Sequence, residues 1–195
     1  MSQPISFHVD HPAHQSRLHV VIRLILLAAL GSIGLSGMYF LLYLGLPAVV
    51  ALVLSRKSGQ QYLAEDAPKI VRALRWVAAG YAYLWLLTDE VPGSGSSVHF
   101  ELQPGGAPAT NSALTRLVLS LPALLLMALL TIVSGVLWVI GAFFVLVQEE
   151  LPPSITRFLE QMLRYRLRLF GYHLSLTEVY PSLVDEHQEP VQQPS

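Results

Sequence analysis

Two long stretches without a charged residue dominate the hydrophobic pattern of the chain. They cover Leu24–Leu54 and Leu117–Val147, and each is 31 residues long. An uncharged apolar run of about 18 residues or more is typical of a membrane segment. A soluble chain of 195 residues could bury one such run in its core, but hardly two. The pattern therefore predicts an integral membrane protein that is mainly α-helical.

Two short stretches instead alternate between apolar and polar residues, which is the pattern of a half-buried β-strand. In Ile5–Val9 the apolar Phe7 and Val9 alternate with the polar His8, and Val98–Leu102 alternates in the same way. A single strand would leave its backbone groups unpaired. We therefore expect the two strands to pair with each other outside the bilayer.

The chain also repeats itself. At an offset of 93 residues the two alternating stretches align, and both apolar runs begin and end in register. After the first run a tighter offset of 89 aligns Leu87–Asp89 with Leu176–Glu178. The Gly/Ser-rich linker Pro92–Ser97 separates the two copies. The pattern predicts a first membrane repeat over 1–93, a second over 94–184 and a disordered polar tail over 185–195.

Charge placement bears on how often each apolar run crosses the membrane. A helix of 31 residues would measure about 46 Å, which is long for one crossing and short for two. Single crossings would divide the 12 Lys and Arg residues six to each side, whereas helical hairpins would put all 12 on one side. The positive-inside bias favours hairpins with cytoplasmic termini, and short re-entrant hairpins fit equally. We expect the turns at Gly31–Gly37 and at Ser134–Gly135.

Each repeat closes with an amphipathic helix. Between Ser154 and Tyr172, basic and polar residues occupy one stripe and apolar residues the other. Such a helix beside a membrane segment is expected to lie in the cytoplasmic interface, among anionic headgroups. Its arginines either only anchor the protein or form a docking surface for a partner subunit. The residues expected to face lipid or a partner are Arg72, Arg75, Arg164, Arg166 and Arg168.

Composition narrows the possible functions. The chain contains no cysteine, which excludes disulfides, thiolate metal sites and cysteine nucleophiles. Its net charge of −1 provides no basic field for nucleic acid. No ionisable residue lies inside either apolar run, which disfavours a transporter or pump that acts alone.

Candidate chemistry is sparse. His8, His11 and His14 form the one metal-like group, although their spacing matches no known metal motif and a polar N-terminal arm is the simpler explanation. The paired carboxylates Asp89–Glu90 and Glu149–Glu150 stand at the ends of apolar segments, where solvated acids are common. Motifs for phosphate binding, zinc proteases or serine nucleophiles are absent. The sequence therefore predicts neither a cofactor nor an enzymatic activity.

The ends of the two repeats carry a family resemblance. Arg75-Trp76, Tyr83 and Leu86–Pro92 in the first repeat correspond to Arg164, Tyr172-His173-Leu174 and Leu176–Ser182 in the second. Together with Ser16-Arg17-Leu18, this pattern resembles the bacterial membrane family called domain of unknown function 4389, over most of residues 5–183. Val91 stands where the family has tyrosine, and Glu178 where it has aspartate. The resemblance implies a membrane architecture, often in tandem, and no catalytic or binding residue.

Three functions remain open. The first is a non-enzymatic accessory or scaffold subunit of a larger assembly in the bacterial inner membrane, with membrane lipid and other membrane protein subunits as partners. The second is a small lipid- or solute-handling membrane protein, such as a transporter component. A polar cavity would favour the second function, and featureless packed helices the first. The third, a membrane metalloenzyme, depends on the N-terminal histidines.

Overall fold

The computed structural model describes residues 5–32, 35–93 and 97–183, apart from the side chains of residues 31–42 and 44. The predicted tail at 185–195 therefore lies outside the described residues. Helices predominate, as the apolar runs predict. In chain order the elements are β1 (Ile5–Val9), α1 (Arg17–Ser32), α2 (Leu35–Leu54), α3 (Gly59–Glu65), α4 (Ala67–Leu84), β2 (Val98–Leu102), α5 (Thr110–Leu119), α6 (Leu121–Gln148) and α7 (Pro153–His173).

The predicted strand pair is confirmed. β1 and β2 are antiparallel, and Phe7 pairs with Phe100 at the centre of the register. Phe7 aligns with Phe100 under the 93-residue offset, so each strand meets its own counterpart. Both phenylalanines are buried, whereas His8 and His99 point to solvent. The two-stranded sheet therefore has one apolar inner face and one polar outer face.

Helix α7 lies at the centre of three layers. On one side it packs antiparallel to α6, since Ile155 near its start lies next to Gly141 and Tyr165 further along contacts the Ala123 carbonyl. On the other side Arg164 donates to the carbonyl of Phe7 in β1. Helix α4 packs beside α7 and also packs against β2. The strands thus form the first layer, α4 and α7 the second, and the apolar helices α1, α2, α5 and α6 the third.

The turn predicted at Ser134–Gly135 is wrong, because α6 continues through it as one helix of 28 residues. The surrounding leucines, alanines and valines favour the helix, and a single Ser-Gly pair inside such a run costs only about 1 kcal/mol. The turn predicted in the first run falls around residues 33 and 34, which lie outside the described residues. The second run is therefore not a helical hairpin.

Helix α6 has two different faces. Among the described residues it is the one helix long and apolar enough to cross a membrane, yet only 28% of its most apolar window is buried. Its buried face packs on α7, α4 and α1, and its opposite face is exposed and apolar along the whole helix. The exposed residues are Leu121, Leu125, Leu129, Ile132, Val133, Val136, Val139, Ile140, Phe143, Leu146 and Val147. Exposed apolar residues of α1, α2 and α5 add to this surface, which we call the apolar face.

An arginine near the start of each apolar run makes matching contacts in the interior. Arg23 is fully buried and donates to the Thr88 carbonyl at 2.6 Å and to the Asp89 carboxylate at 2.8 Å. Its guanidinium lies 4.6 Å from the centre of the Tyr83 ring. The Arg23 guanidinium thus connects the start of the first apolar run to the turn that ends α4.

The second arginine repeats this arrangement. Arg116 donates to the carbonyls of Thr177 and Tyr172, and its guanidinium lies 4.8 Å from the centre of the Tyr172 ring. The turns that receive the two arginines also match, since Leu86 and Ser175 both have positive φ after a helix end. The contacts of the two copies correspond under the offsets of 93 and 89, while the boundaries 1–93 and 94–184 stay a prediction.

Replacing Asp89 with asparagine should destabilise the fold. The amide can still accept from the backbone of Ser16, but Arg23 loses the carboxylate that balances its buried charge. Breaking a buried ion pair in this way costs about 3–5 kcal/mol. The measurement is the unfolding midpoint of the purified protein in a mild detergent.

Glu149→Gln is the matched control. Glu149 pairs with Arg17 at 3.0 Å, but both side chains are about half exposed, and such pairs contribute about 0–1 kcal/mol. If the two variants lower the unfolding midpoint equally, the buried Arg23–Asp89 pair stabilises the fold no more than the exposed Arg17–Glu149 pair does.

Candidate functional site

The most connected polar cluster lies where β1 and the loop after it meet α7. Glu160 of α7 is 9% exposed, and its two carboxylate oxygens contact different histidines. Oε1 lies 3.1 Å from Nδ1 of His8, and Oε2 lies 3.2 Å from Nε2 of His11. Arg164, one turn further along α7, donates to Oε1 at 3.3 Å. A single carboxylate therefore joins the N-terminal segment to the central helix.

The contacts of His11 favour its protonated form. Its Nε2 faces the Glu160 carboxylate and its Nδ1 faces the carbonyl of Leu87 at 3.1 Å. Because a carboxylate and a carbonyl accept hydrogen bonds, the imidazolium with a proton on each ring nitrogen satisfies both contacts. The hydrogen bond to Glu160 accordingly raises the pKa of His11 above its usual range. Burial alone would raise the pKa of Glu160, but the hydrogen bonds from His11 and His8 outweigh it and lower that pKa.

A second carboxylate continues the cluster across the strands. Asp10 accepts from Nε2 of His99 at 2.9 Å and lies 3.5 Å from Nε2 of His8. The hydrogen bond from His99 lowers the pKa of Asp10. The rings of His8 and His99 stack at 6.5 Å between centroids. All three side chains are more than half exposed, so this end of the cluster faces solvent.

The structure brings two of the three candidate metal ligands together. His8 and His11 meet at Glu160, whereas His14 points to Glu150 at 3.7 Å. Within the described ranges, no group of three or more His, Cys, Asp or Glu residues is arranged to hold a metal ion. The two ring nitrogens of His11 already face a carboxylate and a carbonyl. In this geometry the histidines act as hydrogen-bonding groups that fasten β1 and its following loop to α7.

The arginines expected at the surface divide into two groups. Arg72 and Arg75 of α4 are exposed, as expected. Arg166 and Arg168 of α7 are buried, with 3% and 5% of their surface exposed, so their expected lipid- or partner-facing position is wrong for the folded chain. Arg166 lies over the rings of Tyr81 and Trp85, and Arg168 donates to the carbonyl of Ser182. The physical reason is that α7 is covered on both sides.

Arg164 lies between these two groups. Its side chain is 24% exposed and donates to the Phe7 carbonyl and to Glu160. It therefore serves the strand contact rather than a surface stripe.

Sequence reasoning did not single out Glu160 or His99. Glu160 stands on the polar stripe of an amphipathic helix, where an acid is ordinary, and its histidines are about 150 residues away. One sequence signal pointed to His99. Each of the two alternating strands carries a histidine on its polar face, His8 in β1 and His99 in β2. Antiparallel pairing then places His8 directly opposite His99.

The comparison with known protein families finds a match over the second half of the chain. Residues 110–184 match the family model described as Domain of unknown function (DUF4389), which confirms the resemblance over that stretch. The match begins at the first residue of α5 and covers α6, α7 and the turn that receives Arg116. No curated protein and no solved structure matches the chain. The family description names no activity, ligand or partner.

Raising the pH through neutrality should destabilise the wild-type protein. Because the pKa of His11 is higher in the folded state, its stabilising effect is complete below the unfolded value of about 6.5. The effect is then lost as the pH rises through the folded pKa. Glu160 has a lowered pKa, so its contribution to stability is lost only when the pH falls into the acid range. It therefore stays ionised around neutral pH and does not affect this prediction. Below about pH 6.5 the buried His173 has the opposite effect, because burial lowers its pKa to about 4 and its stabilising effect is lost as the pH falls. The measurement is therefore the unfolding midpoint from about pH 6.5 to mildly alkaline pH.

His11→Gln should flatten this pH dependence, since glutamine cannot bind a proton there. His14→Gln is the control, because that side chain is 72% exposed and makes only a long contact. An unchanged slope in His11→Gln would show that another group governs the dependence.

Proposed function

We propose that this protein is a non-enzymatic accessory or scaffold subunit that lies flat in the cytoplasmic leaflet of the bacterial inner membrane. In this proposal the apolar face of α1, α2, α5 and α6 is in contact with lipid. The strand layer and the exposed parts of α4 face the cytoplasm, where they are available to other subunits. No helix then crosses the bilayer, in contrast to the multi-pass topology expected from the two apolar runs.

The observation that carries the proposal is the position of the polar strand face relative to α6. Phe7 lies against Arg164, and the next arginine of α7 contacts Thr131, close to the middle of α6. A membrane-crossing α6 would therefore put the strands at the depth of the bilayer centre. There His8 and Asp10, each with a side chain 63% exposed, would meet hydrocarbon. Charged and polar side chains at that depth are costly.

Lying flat removes this conflict. The exposed apolar side of α6 extends from Leu121 to Val147, and the opposite side is covered by the protein's own helices. An element with one apolar and one covered or polar side is suited to the membrane interface. The rest of the fold thus provides the polar side that α6 lacks in its own sequence.

The charge distribution supports the same orientation. The hairpin topology was attractive because it put all 12 Lys and Arg residues on one side of the membrane. A molecule that lies in one leaflet also keeps all 12 on that side, without needing a turn at Ser134. The positive-inside bias then favours the cytoplasmic leaflet.

The non-catalytic part of the proposal follows from the polar contacts. Glu160 is satisfied by His8, His11 and Arg164, and His11 uses both of its nitrogens. These contacts hold the N-terminal segment and α7 together, which supports a structural rather than a catalytic role for Glu160 and His11. The exposed arginines that remain on α4, Arg72 and Arg75, suit an acidic partner surface.

Cysteine labelling distinguishes a flat α6 from a crossing α6. The chain has no native cysteine, so Asn111→Cys and Gln148→Cys place single thiols near the two ends of the α5–α6 pair. Both positions are exposed. With α6 flat, an impermeant maleimide added to intact cells should label neither thiol, and the same reagent added to inverted membrane vesicles should label both.

Two further thiols calibrate this experiment. His99→Cys, on the polar strand face, should react like the two end positions. Ile132→Cys, 67% exposed on the apolar face, should stay protected in vesicles and react after detergent is added. If one end of the helix reacts in intact cells and the other only in inverted vesicles, α6 crosses the membrane and the flat orientation is wrong.

A further inference from the structure

A groove of about 570 Å³ lies where α2 ends and α4 begins. It is separate from the Glu160 cluster, and no resemblance or sequence motif points to it. Apolar side chains of α2 and α4 form its walls, with a tyrosine and a leucine at its base and charged residues at its rim. The lining residues are Val49, Val50, Val53, Arg56, Lys57, Tyr62, Asp66, Lys69, Ile70 and Leu174.

One end of the groove is lined by apolar side chains and the other end by charged side chains. Its apolar end opens onto the apolar face, because Val49 is 59% exposed there. At its base the Tyr62 hydroxyl donates to the Leu174 carbonyl at 2.6 Å, so that polar group is already satisfied. One end therefore suits hydrocarbon, and the polar end begins only where the apolar run stops.

Two of the rim cations are available to a ligand. Lys57 is held by Glu65 at 3.0 Å and Asp66 at 2.9 Å. Lys69 approaches Asp66 only to 3.8 Å, and its side chain is 77% exposed. Arg56 is exposed and makes no ion pair with another residue of the described chain. The rim therefore presents two solvent-facing positive charges beside an apolar channel.

The two copies differ in charge at this place. Under the 93-residue offset, Arg56 and Lys57 correspond to Glu149 and Glu150, so the same place in the second copy is acidic. Under the 89-residue offset, Lys69 corresponds to Phe158. The copies match at Arg23 and Arg116 but have opposite charge here. A structural need common to both copies therefore does not account for the exposed Arg56 and Lys69, which leaves them available to a ligand.

We propose that this groove binds one anionic phospholipid, with an acyl chain along Val49 and Val53 and the phosphate between Arg56 and Lys69. The proposal rests on the membrane attachment proposed above, which brings lipid to the open end of the groove. A zwitterionic phospholipid carries the same chains but no net charge, so the rim should discriminate between the two.

The test is a titration of the full-length protein in detergent with short-chain phosphatidylglycerol and, separately, phosphatidylcholine, followed by native mass spectrometry. Wild type should bind phosphatidylglycerol more tightly. Each basic residue near an anionic group contributes about 1 kcal/mol, so Arg56→Gln with Lys69→Gln should weaken phosphatidylglycerol binding about thirtyfold. Binding of phosphatidylcholine should change little.

Matched variants separate the groove from general charge and hydrophobicity. Arg72→Gln with Arg75→Gln removes two exposed cations from α4 outside the groove and should leave binding unchanged. Val49→Trp fills the apolar channel and should weaken both lipids. Val139→Trp makes the same change at a position 64% exposed on α6 and should have no effect.

Several results would overturn the proposal. Equal losses in the two double variants would indicate unspecific charge attraction, and unaltered binding in Val49→Trp would exclude the channel. Displacement of the lipid by glycerol 3-phosphate would identify a site for soluble phosphate compounds instead. The membrane orientation is tested separately. If wild type does not prefer phosphatidylglycerol, the groove assignment fails while a flat orientation stands. If the labelling shows that α6 crosses, the orientation fails while the binding result stands.

Discussion

Burial of a guanidinium near the start of each apolar run is the constraint on which the rest of the structure depends. Arg23 and Arg116 are buried, so groups in the interior must stabilise their charge. Each guanidinium donates to a carbonyl of the turn that ends α4 or α7, at Thr88 or Thr177, and lies over a tyrosine ring. Nε and Nη1 of Arg23 have no acceptor among the described residues. The length and direction of each amphipathic helix are thereby tied to the position of an arginine about 60 residues earlier.

The same constraint explains why the molecule has two unlike faces. Once α4 and α7 are held against the apolar helices, the inner sides of those helices are covered and their outer sides remain apolar. The strands close the other side of α7 with Phe7 and Phe100 inward and histidines outward. The result is a slab with hydrocarbon-like chemistry on one surface and ionisable side chains on the other. In the proposed orientation the first surface meets lipid and the second meets water.

How far the sequence could predict this fold differs from element to element. The strand pair was predictable because alternation is a local signal and two lone strands need partners. The turn at Ser134–Gly135 was not predictable, because the charge count that suggested it is equally satisfied by a helix lying in one leaflet.

The burial of Arg166 and Arg168 could not be predicted from the polar and apolar stripes of α7, because that pattern assumes that one side of a helix meets solvent. Helix α7 is covered by α6 on one side and β1 on the other, so its polar stripe points into contacts. Glu160 depended on the same long-range packing, since its histidines lie about 150 residues away in the chain.

The strands also link the two predicted repeats. β1 belongs to the first predicted repeat but packs on α7 of the second, and β2 of the second packs on α4 of the first. Glu160 and Arg164 reinforce this exchange, because they bind the first copy's His8, His11 and Phe7 from the second copy's central helix. Each amphipathic helix is therefore completed by a strand from the other copy. The stretch that matches the family model, residues 110–184, contains the helices of the second copy but neither strand. Part of α7 in the matched stretch is thus covered by residues outside it, among them Ile5 of β1 and Leu102 of β2, which lie next to Gly171.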